Sequence, residues 1–383
     1  MQDNNIVVIG GCGHVGLPLG LILCESGHRV ALLDSNIDAV TQVAEGIMPF
    51  LEPGCDELLK KHLSSGRLTV TSEAGIIKDN RFVFIVIGTA LDESNQPDQE
   101  GIIKLFASIS RYLTSDHIVI LRSTVYPGTT ELLQRKFPNL RILFCPERIA
   151  EGHALEELGR IPQIIGVSGN HNADLLVKKM FSSLGVELLC TSVQKAELVK
   201  LFSNAWRYIS FGVVNEIQQL LEQVGIESDE IFTLMKEKYP RCDSLPSPGF
   251  TGGPCLPKDT RQINHFFSNR FLFANTALSV HDSYPTSILE RLKKTYNLEK
   301  NIVGVLGISF KPNSDDLRGS QALILLQQLR MFAKEVYYHD PLLPSTEDNL
   351  SMGELLARCD LVIVGTRHSQ FQNLDIDKPI IVI

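Results

Sequence analysis

The chain begins with a short apolar run, Ile6–Ile9, followed at once by glycines and then by a helical pattern. The alternation recurs. Strand-sized runs fall at Val30–Leu33, Val83–Ile87, Ile118–Leu121, Ile142–Phe144 and Ile164–Val167, with helical stretches and Gly or Pro punctuation between them. Strands alternating with helices predict βαβ units and a parallel sheet. Past Val193 the pattern changes. Helical periodicity runs to Val224, broken only by Gly212 and closed by Gly225. A helix of that length reaches roughly 45–50 Å at the usual rise per residue. That is too long for a crossover helix and predicts the spine of a separate helical region. More helix is expected at Ser228–Lys238 and around Thr276–Thr295, on either side of a Gly/Pro loop. A third pattern starts at Ile302: "IVGVLGISF", a helix around Ser320–Phe332, then "EVYYHDP", "DLVIVGT" and "PIIVI". It reads as a second, smaller α/β unit.

At 383 residues the chain has room for two or three cores. The net charge of -8 argues against a nucleic-acid surface, which wants a basic stripe. Apolar runs such as Phe82–Gly88 are strand-sized and too short to span a bilayer. The first residues carry no basic stretch and lead straight into a strand, so no signal peptide is expected. The eight cysteines are scattered without CxxC pairs or metal spacing, which predicts reduced thiols, a cytoplasmic setting and no metal.

"IVVIGGCGHVG" sets Gly11, Gly13 and Gly16 in GxGxxG spacing between a strand and a helix. Such glycines permit a tight turn and the approach of a pyrophosphate to a helix N-terminus. Asp34 ends the next strand, where a carboxylate accepts ribose hydroxyls and repels a 2′-phosphate. NAD is therefore favoured over NADP. The fold class follows: a Rossmann-type parallel-sheet domain over 1–190, a central all-helical domain over 191–298 and a smaller Rossmann-like α/β domain over 299–383.

Cys255 sits in "GFTGGPCLPKD" (Gly249–Asp259). Inert burial describes Cys12, Cys24, Cys145 and Cys190 well and fits Cys255 badly. Packing has no evident need of this loop, whereas glycines admit a ligand and prolines stiffen the chain. Lys258 is near enough in sequence to lower a thiol pKa. A nucleophile is the reading that uses all of this. Lys200 and Asn204 share one face of the long helix with Glu197, and on the residues alone a solvated Glu197–Lys200 pair is the simpler account. Glu147 and Glu151, in "FCPERIAEG", follow a strand and are candidates either for base work or for capping; so is Thr124, in "RSTVYPGTT". In "SFKPNSDDLRGS", Lys311 and Arg318 are placed to meet phosphates.

Taken in order, "GCGHVGLPLG", "GIMPFLEPG", "STVYPGTT", "CPERIAEG", "AELVKLFSNAW…NEI", "GFTGGPCLPKD" and "LGISFKPNSDDLRGS" resemble the UDP-glucose/GDP-mannose dehydrogenase family over essentially the whole chain. The resemblance implies oxidation of a sugar C6 alcohol to a carboxylate with two NAD. It implies Cys255 as nucleophile, Lys200 and Asn204 as oxyanion donors that also meet the sugar, Asp259 as acid/base partner, and Thr124 and Glu151 as the residues that position water. It implies a cofactor site of Gly11, Gly13, His14, Val15, Gly16, Asp34, Thr89, Thr124, Lys258 and Arg318. It implies a UDP-sugar site that adds Glu147, Arg241, Phe250, Gly252 and Lys311, Arg241 reaching a neighbouring subunit's site. A homodimer is expected: an apolar face of the long helix, with Leu198, Leu201, Phe202, Ala205 and Ile209, packs partly within the chain and for the rest against a partner.

Some positions depart from the family pattern. Ala39 stands where a basic residue often follows the ribose acid. "VIGTA" replaces Thr-Pro at Thr89, and the chain ends at "PIIVI" where relatives continue, so the last unit is expected to be incomplete. "CPER" and the spacing from Arg241 to Cys255 resemble the N-acetylhexosamine branch, "CLPKD" the glucose branch. The expected substrate is a UDP-N-acetylhexosamine (ManNAc or GlcNAc), with UDP-glucose next. Two other classes compete. A two-electron hydroxyacid-type dehydrogenase shares the first two domains but has no use for Cys255. A non-catalytic nucleotide-sugar binder has no reason to hold Cys255, Lys200, Asn204 and Asp259 together.

Overall fold

The computed structural model describes residues 2–89, 99–169, 173–372 and 376–383. The chain divides into two compact units, 1–202 and 203–383. The first is built on eight strands: β1 (Gln2–Ile9), β2 (Arg29–Leu33), β3 (Leu68–Thr71), β4 (Asn80–Ile85), β5 (Ile118–Leu121), β6 (Arg141–Phe144), β7 (Gln163–Val167) and β8 (Leu188–Ser192). Their order is β3-β2-β1-β4-β5-β6-β7-β8. Neighbours run parallel except at β6 and β7, which meet antiparallel through Phe144 and Gly166. The expected parallel sheet is present, with one antiparallel step at that junction. The inner strands are apolar on both faces because helices cover both: Ile6 and Val8 face one core, Val7 and Ile9 the other. The strand order reverses beside β1, the place where α/β sheets open a crevice for ligands.

In the second unit β9 (Ile302–Leu306), β10 (Glu335–His339), β11 (Leu361–Val364) and β12 (Ile380–Val382) form a parallel sheet in the order β10-β9-β11-β12. The helix Leu272–Thr295 does not stop at the helical region. Tyr284, Ile288, Leu289 and Leu292 belong to the same core as Val303, Val305, Leu325 and Leu326. Residues 203–298 of the helical stretch thus fall in the same compact unit as 299–383, and 191–202 in the first. Gly212 lets the long helix Val193–Gln223 pass this helix closely: a Cβ there would meet Ala277 Cα and His281 Nε2 at 3.4 Å.

Two local expectations are overturned. Glu197 is not a solvated partner of Lys200. It is 1% exposed, and its carboxylate accepts from the backbone N–H of Gly128 at 2.6 Å and of Thr130 at 2.9 Å. It thus caps the helix Thr129–Lys136, whose first turn otherwise has no side-chain cap. The loop before Cys255 is also required by packing. A Cβ on Gly252 would meet the Gly319 carbonyl oxygen at 2.2 Å, and one on Gly253 would meet the Phe310 ring at 2.6 Å. Gly253 has φ +90° and donates its N–H to that same Gly319 oxygen at 3.1 Å.

Two substitutions test these contacts. Glu197→Ala leaves two backbone donors without their acceptor and should lower stability by about 1–3 kcal/mol, with Glu197→Gln losing less, read from urea denaturation midpoints. Gly252→Ala forces backbone against backbone and should cost about 2 kcal/mol or more; an unchanged midpoint would show that the loop gives way freely.

Candidate active site

The glycine loop separates into two kinds of position. Gly11 and Gly16 are dictated by packing, since a Cβ would meet Leu32 and Val8 atoms at 2.8 Å in the first case and the Gly10 oxygen at 2.2 Å in the second. Gly13 is different. It is exposed, and the nearest atom to a Cβ there is the Gly10 oxygen at 3.6 Å. The protein does not need Gly13; a ligand approaching the backbone would. Val15 precedes the helix Gly16–Glu25, which no side chain caps. Asp34, at the end of β2, turns one oxygen to the Cys12 N–H and the other to the Asn36 N–H, each at 3.0 Å. The acid is thereby oriented beside the loop, as a ribose acceptor has to be. These residues fit a dinucleotide. Thr89 donates its hydroxyl to the Thr124 carbonyl at 2.6 Å, tying the ends of the β4 and β5 segments together.

The loop after β6 holds two carboxylates with different duties. Glu147 is buried against Arg122, at 3.1 Å from Nε and 2.5 Å from NH2, and its other oxygen accepts from Arg148 N–H at 2.8 Å and Ile149 N–H at 3.1 Å. Burial raises its pKa, but the guanidinium and these N–H groups outweigh it and hold Glu147 below the usual carboxylate range. Both oxygens are engaged, so Glu147 is a scaffold group, and the alternative of base work is not supported there. Glu151 instead meets the His14 ring, with Oε1 3.4 Å from Nδ1.

On the long helix, Lys200 and Asn204 follow one another by a turn and are both buried, 9% and 6% exposed. No carboxylate pairs with Lys200 among the described residues. In the second unit Asn204 Nδ2 donates to Asp259 Oδ2 at 2.6 Å, and Lys258 Nζ lies 2.8 Å from Oδ1 of the same carboxylate. Asp259 is fully buried, so its charge rests on these two neighbours. One amide proton of Asn204 is used here and one is left for another acceptor. The Lys258 ammonium, expected near the thiol, is paired with Asp259.

Cys255 is the exposed cysteine of the eight and stands at the N-cap of a helix the sequence reading missed, Leu256–Phe266. Pro257 in its first turn is the available signal, since proline is at home there. A thiolate at a helix N-terminus is favoured by the helix dipole. The buried thiols go the other way: burial pushes Cys12, Cys24 and Cys55 up to about 12 and Cys145 up to about 11.

The remaining predicted residues are more dispersed. Phe250 packs edge-on against Tyr284, ring centroids 5.8 Å apart. Arg241 is exposed beside the Tyr239 ring, and Lys311 lies over the Phe310 ring. Arg318 forks onto Asp316 at 2.6–2.9 Å. Of the apolar face named from sequence, Leu201 and Ala205 are fully buried within the chain and Phe202 is exposed; Trp206, Val213 and Leu220, spaced by seven residues, are exposed as well.

Comparison with known proteins gives the same picture over the whole length. Residues 4–184 match the NAD binding domain of the UDP-glucose/GDP-mannose dehydrogenase family, 194–282 its central domain and 304–381 its UDP binding domain. A UDP-N-acetyl-D-mannosamine dehydrogenase of Pyrococcus horikoshii is 28% identical over 385 aligned positions, 96% of this chain and 91% of that one. A UDP-glucose 6-dehydrogenase of Bacillus subtilis is 27% identical, over 88% of this chain and 80% of its own length. Among solved structures, the UDP-ManNAc dehydrogenase of Pyrococcus horikoshii superposes with a TM-score of 0.88 at 29% identity, covering 97% of this chain and 91% of that one. A UDP-glucose dehydrogenase of Pyrobaculum islandicum gives 0.87 at 26% identity, covering 98% and 93%. The chain belongs to the UDP-glucose/GDP-mannose dehydrogenase family, NAD-dependent oxidoreductases of nucleotide sugars.

Proposed function

We propose that this enzyme oxidises the C6 alcohol of a UDP-N-acetylhexosamine, N-acetylmannosamine before N-acetylglucosamine, to the uronate, with UDP-glucose as the second candidate. The observation that carries the chemistry is the exposed Cys255 at a helix N-cap, with the buried Asp259 one turn along that helix, held by Asn204 and Lys258. Named relatives of both sugar classes match at similar identity, so the preference rests on "CPER" and on the spacing from Arg241 to Cys255.

Bound NAD supplies the hydride acceptor, twice for each sugar. The chain's own residues do the rest. Loss of the first hydride turns C6 into an aldehyde, which has no second hydride to give until a nucleophile adds. The Cys255 sulfur forms a bond to C6, and the carbonyl electron pair moves to oxygen. Lys200 and the spare Asn204 N–H stabilise that alkoxide. Loss of the second hydride leaves a thioester. Water then bonds to C6, the C–S bond breaks with its electron pair on sulfur, and Glu151, with Thr124, orders the water and takes its proton. Covalent capture divides one hard oxidation into easier steps. Asp259 is the acid/base partner of the thiol. Lys258, Arg318, Thr89, His14 and Val15 belong with the cofactor, and Arg241, Phe250, Gly252, Lys311 and the Arg122-bound Glu147 with the sugar nucleotide, Glu147 through the loop it holds.

The protein acts as a homodimer in the cytoplasm. What supports the dimer is the exposed stripe of Trp206, Val213 and Leu220, which a second copy covers. What supports the compartment is a full set of free cysteines, together with the lack of any helix among the described residues long and apolar enough to cross a membrane.

Two measurements check the reading. A panel of UDP- and GDP-sugars, followed by NADH absorbance and product mass, should give two NADH and one uronate per sugar. Cys255→Ala should then bind both ligands yet make no uronate, while an aldehyde trap draws out about one NADH per sugar. In the same assay, Lys200→Ala should slow turnover by roughly 100-fold. Uronate formed by Cys255→Ala at near the parental rate rejects the mechanism. Light scattering at micromolar concentration should report a dimer, and Trp206→Glu a monomer; an unsubstituted monomer rejects the dimer.

A further inference from the structure

The stretch "GIMPFLEPG" (Gly46–Gly54) has no part in the steps above, yet it closes on the loop that carries Glu151. Glu52 is 1% exposed, and no cation pairs with it among the described residues. Its two oxygens accept from the backbone N–H of Gly152 at 2.7 Å and of Ala154 at 2.8 Å. The first of these adjoins Glu151 directly. Two residues before Glu52, the Phe50 ring lies against the His14 imidazole, centroids 4.0 Å apart and planes 31° from parallel. His14 in turn sets Nδ1 3.4 Å from Glu151 Oε1. One short segment thus fixes the Glu151 backbone through Glu52 and the partner of its side chain through Phe50.

Loop integrity alone does not call for this. Glu157 already accepts from Ala150 N–H at 2.5 Å, and Glu147 from Arg148 and Ile149 N–H. What Glu52 adds is confined to the residues just after Glu151, and His14, which also belongs with the cofactor, adds a contact to the Glu151 carboxylate. A carboxylate that takes a proton from an attacking water must meet that water at hydrogen-bond distance, and small displacements are expensive in rate.

We propose that Glu52 and His14 are positioning residues for thioester hydrolysis: together they hold Glu151 in the orientation from which it takes a proton from the attacking water. The inference rests on the function proposed above. In the step concerned, the water oxygen bonds to the thioester carbon, the C–S pair leaves on Cys255, and one water proton goes to Glu151.

The test uses the full chain with UDP-N-acetylmannosamine, or UDP-glucose if that is the sugar turned over. Glu52→Gln replaces one acceptor oxygen by a donor; His14→Phe keeps a ring against Phe50 and removes the nitrogen. Each should lower kcat on the order of 10- to 100-fold, the loss typical when the support behind a reactive group is removed. The kcat/KM for the sugar should stay within about threefold, KM falling along with kcat, because the affected step follows formation of the adduct. Acid-quenched enzyme should carry a larger fraction of sugar adduct on Cys255 by intact mass than the parent. His14→Asn, which returns a nitrogen near Glu151, should recover part of the rate. A fall in kcat with no rise in adduct, or a rise in KM alone, overturns the inference and leaves the function standing. An unsubstituted enzyme that makes uronate without ever showing the adduct overturns both.

Discussion

The position of the Cys255 thiol depends on a contact between two stretches of backbone. Gly252 approaches Gly319 so closely that it has no room for a side chain, the Phe310 ring leaves none at Gly253, and the Gly253 N–H donates to the Gly319 oxygen. Cys255 follows two residues later and begins a helix. Its position is therefore set by main-chain sterics and not by a flexible side chain. Groups that must meet a reacting carbon benefit from such rigidity, because disorder there is paid for directly in rate. The same contact explains an apparent extravagance in the sequence. Three glycines in five residues are entropically costly unless each has a use, and here at least two have a steric one.

Carboxylates do similar work in the first unit. Glu197, Glu147, Glu52 and Glu157 each accept from backbone N–H groups that would otherwise be buried without partners. Glu197 shows how the long helix is fastened: a side chain near its start caps a helix of the dinucleotide-binding domain, one turn before Lys200. Moving Glu197 would move the ammonium with it. Buried acids of this kind are satisfied by N–H dipoles, and so are not by themselves signs of acid–base chemistry.

That ambiguity marks the limit of what the sequence discloses. The central strands, the long helix and the GxGxxG loop are legible because they rest on local pattern: double-sided apolar runs, unbroken helical periodicity and glycine spacing. β3 and β8 are not, since they lie at the sheet edges and are only partly buried, which blurs the apolar signal. The antiparallel step at Gly166 leaves no mark in periodicity. Glu197 was legible as a residue on the Lys200 face but not as a cap, because its partners lie 67 and 69 residues away. Gly252 likewise reads as ligand space in sequence and as packing in structure, and only the distance to Gly319 decides between them. Gly13 is the reverse case, where the open space supports the ligand reading.

The cysteines show how burial sorts one residue type into two chemistries. Burial disfavours the thiolate of Cys12, Cys24, Cys55 and Cys145, so that near neutral pH they are protonated and weakly nucleophilic. Cys12 is instructive, because it lies inside the glycine loop itself. Asp34, which orients the loop through the Cys12 N–H, also raises the Cys12 pKa by its charge, after burial. One carboxylate thus orients the loop and keeps the neighbouring thiol quiet. Cys255 has the opposite surroundings: it is exposed, at a helix N-terminus, with the nearby carboxylate Asp259 occupied by an amide and an ammonium. Neutralising that carboxylate matters for the thiol, since an unpaired negative charge one turn away would oppose the thiolate that the helix terminus favours.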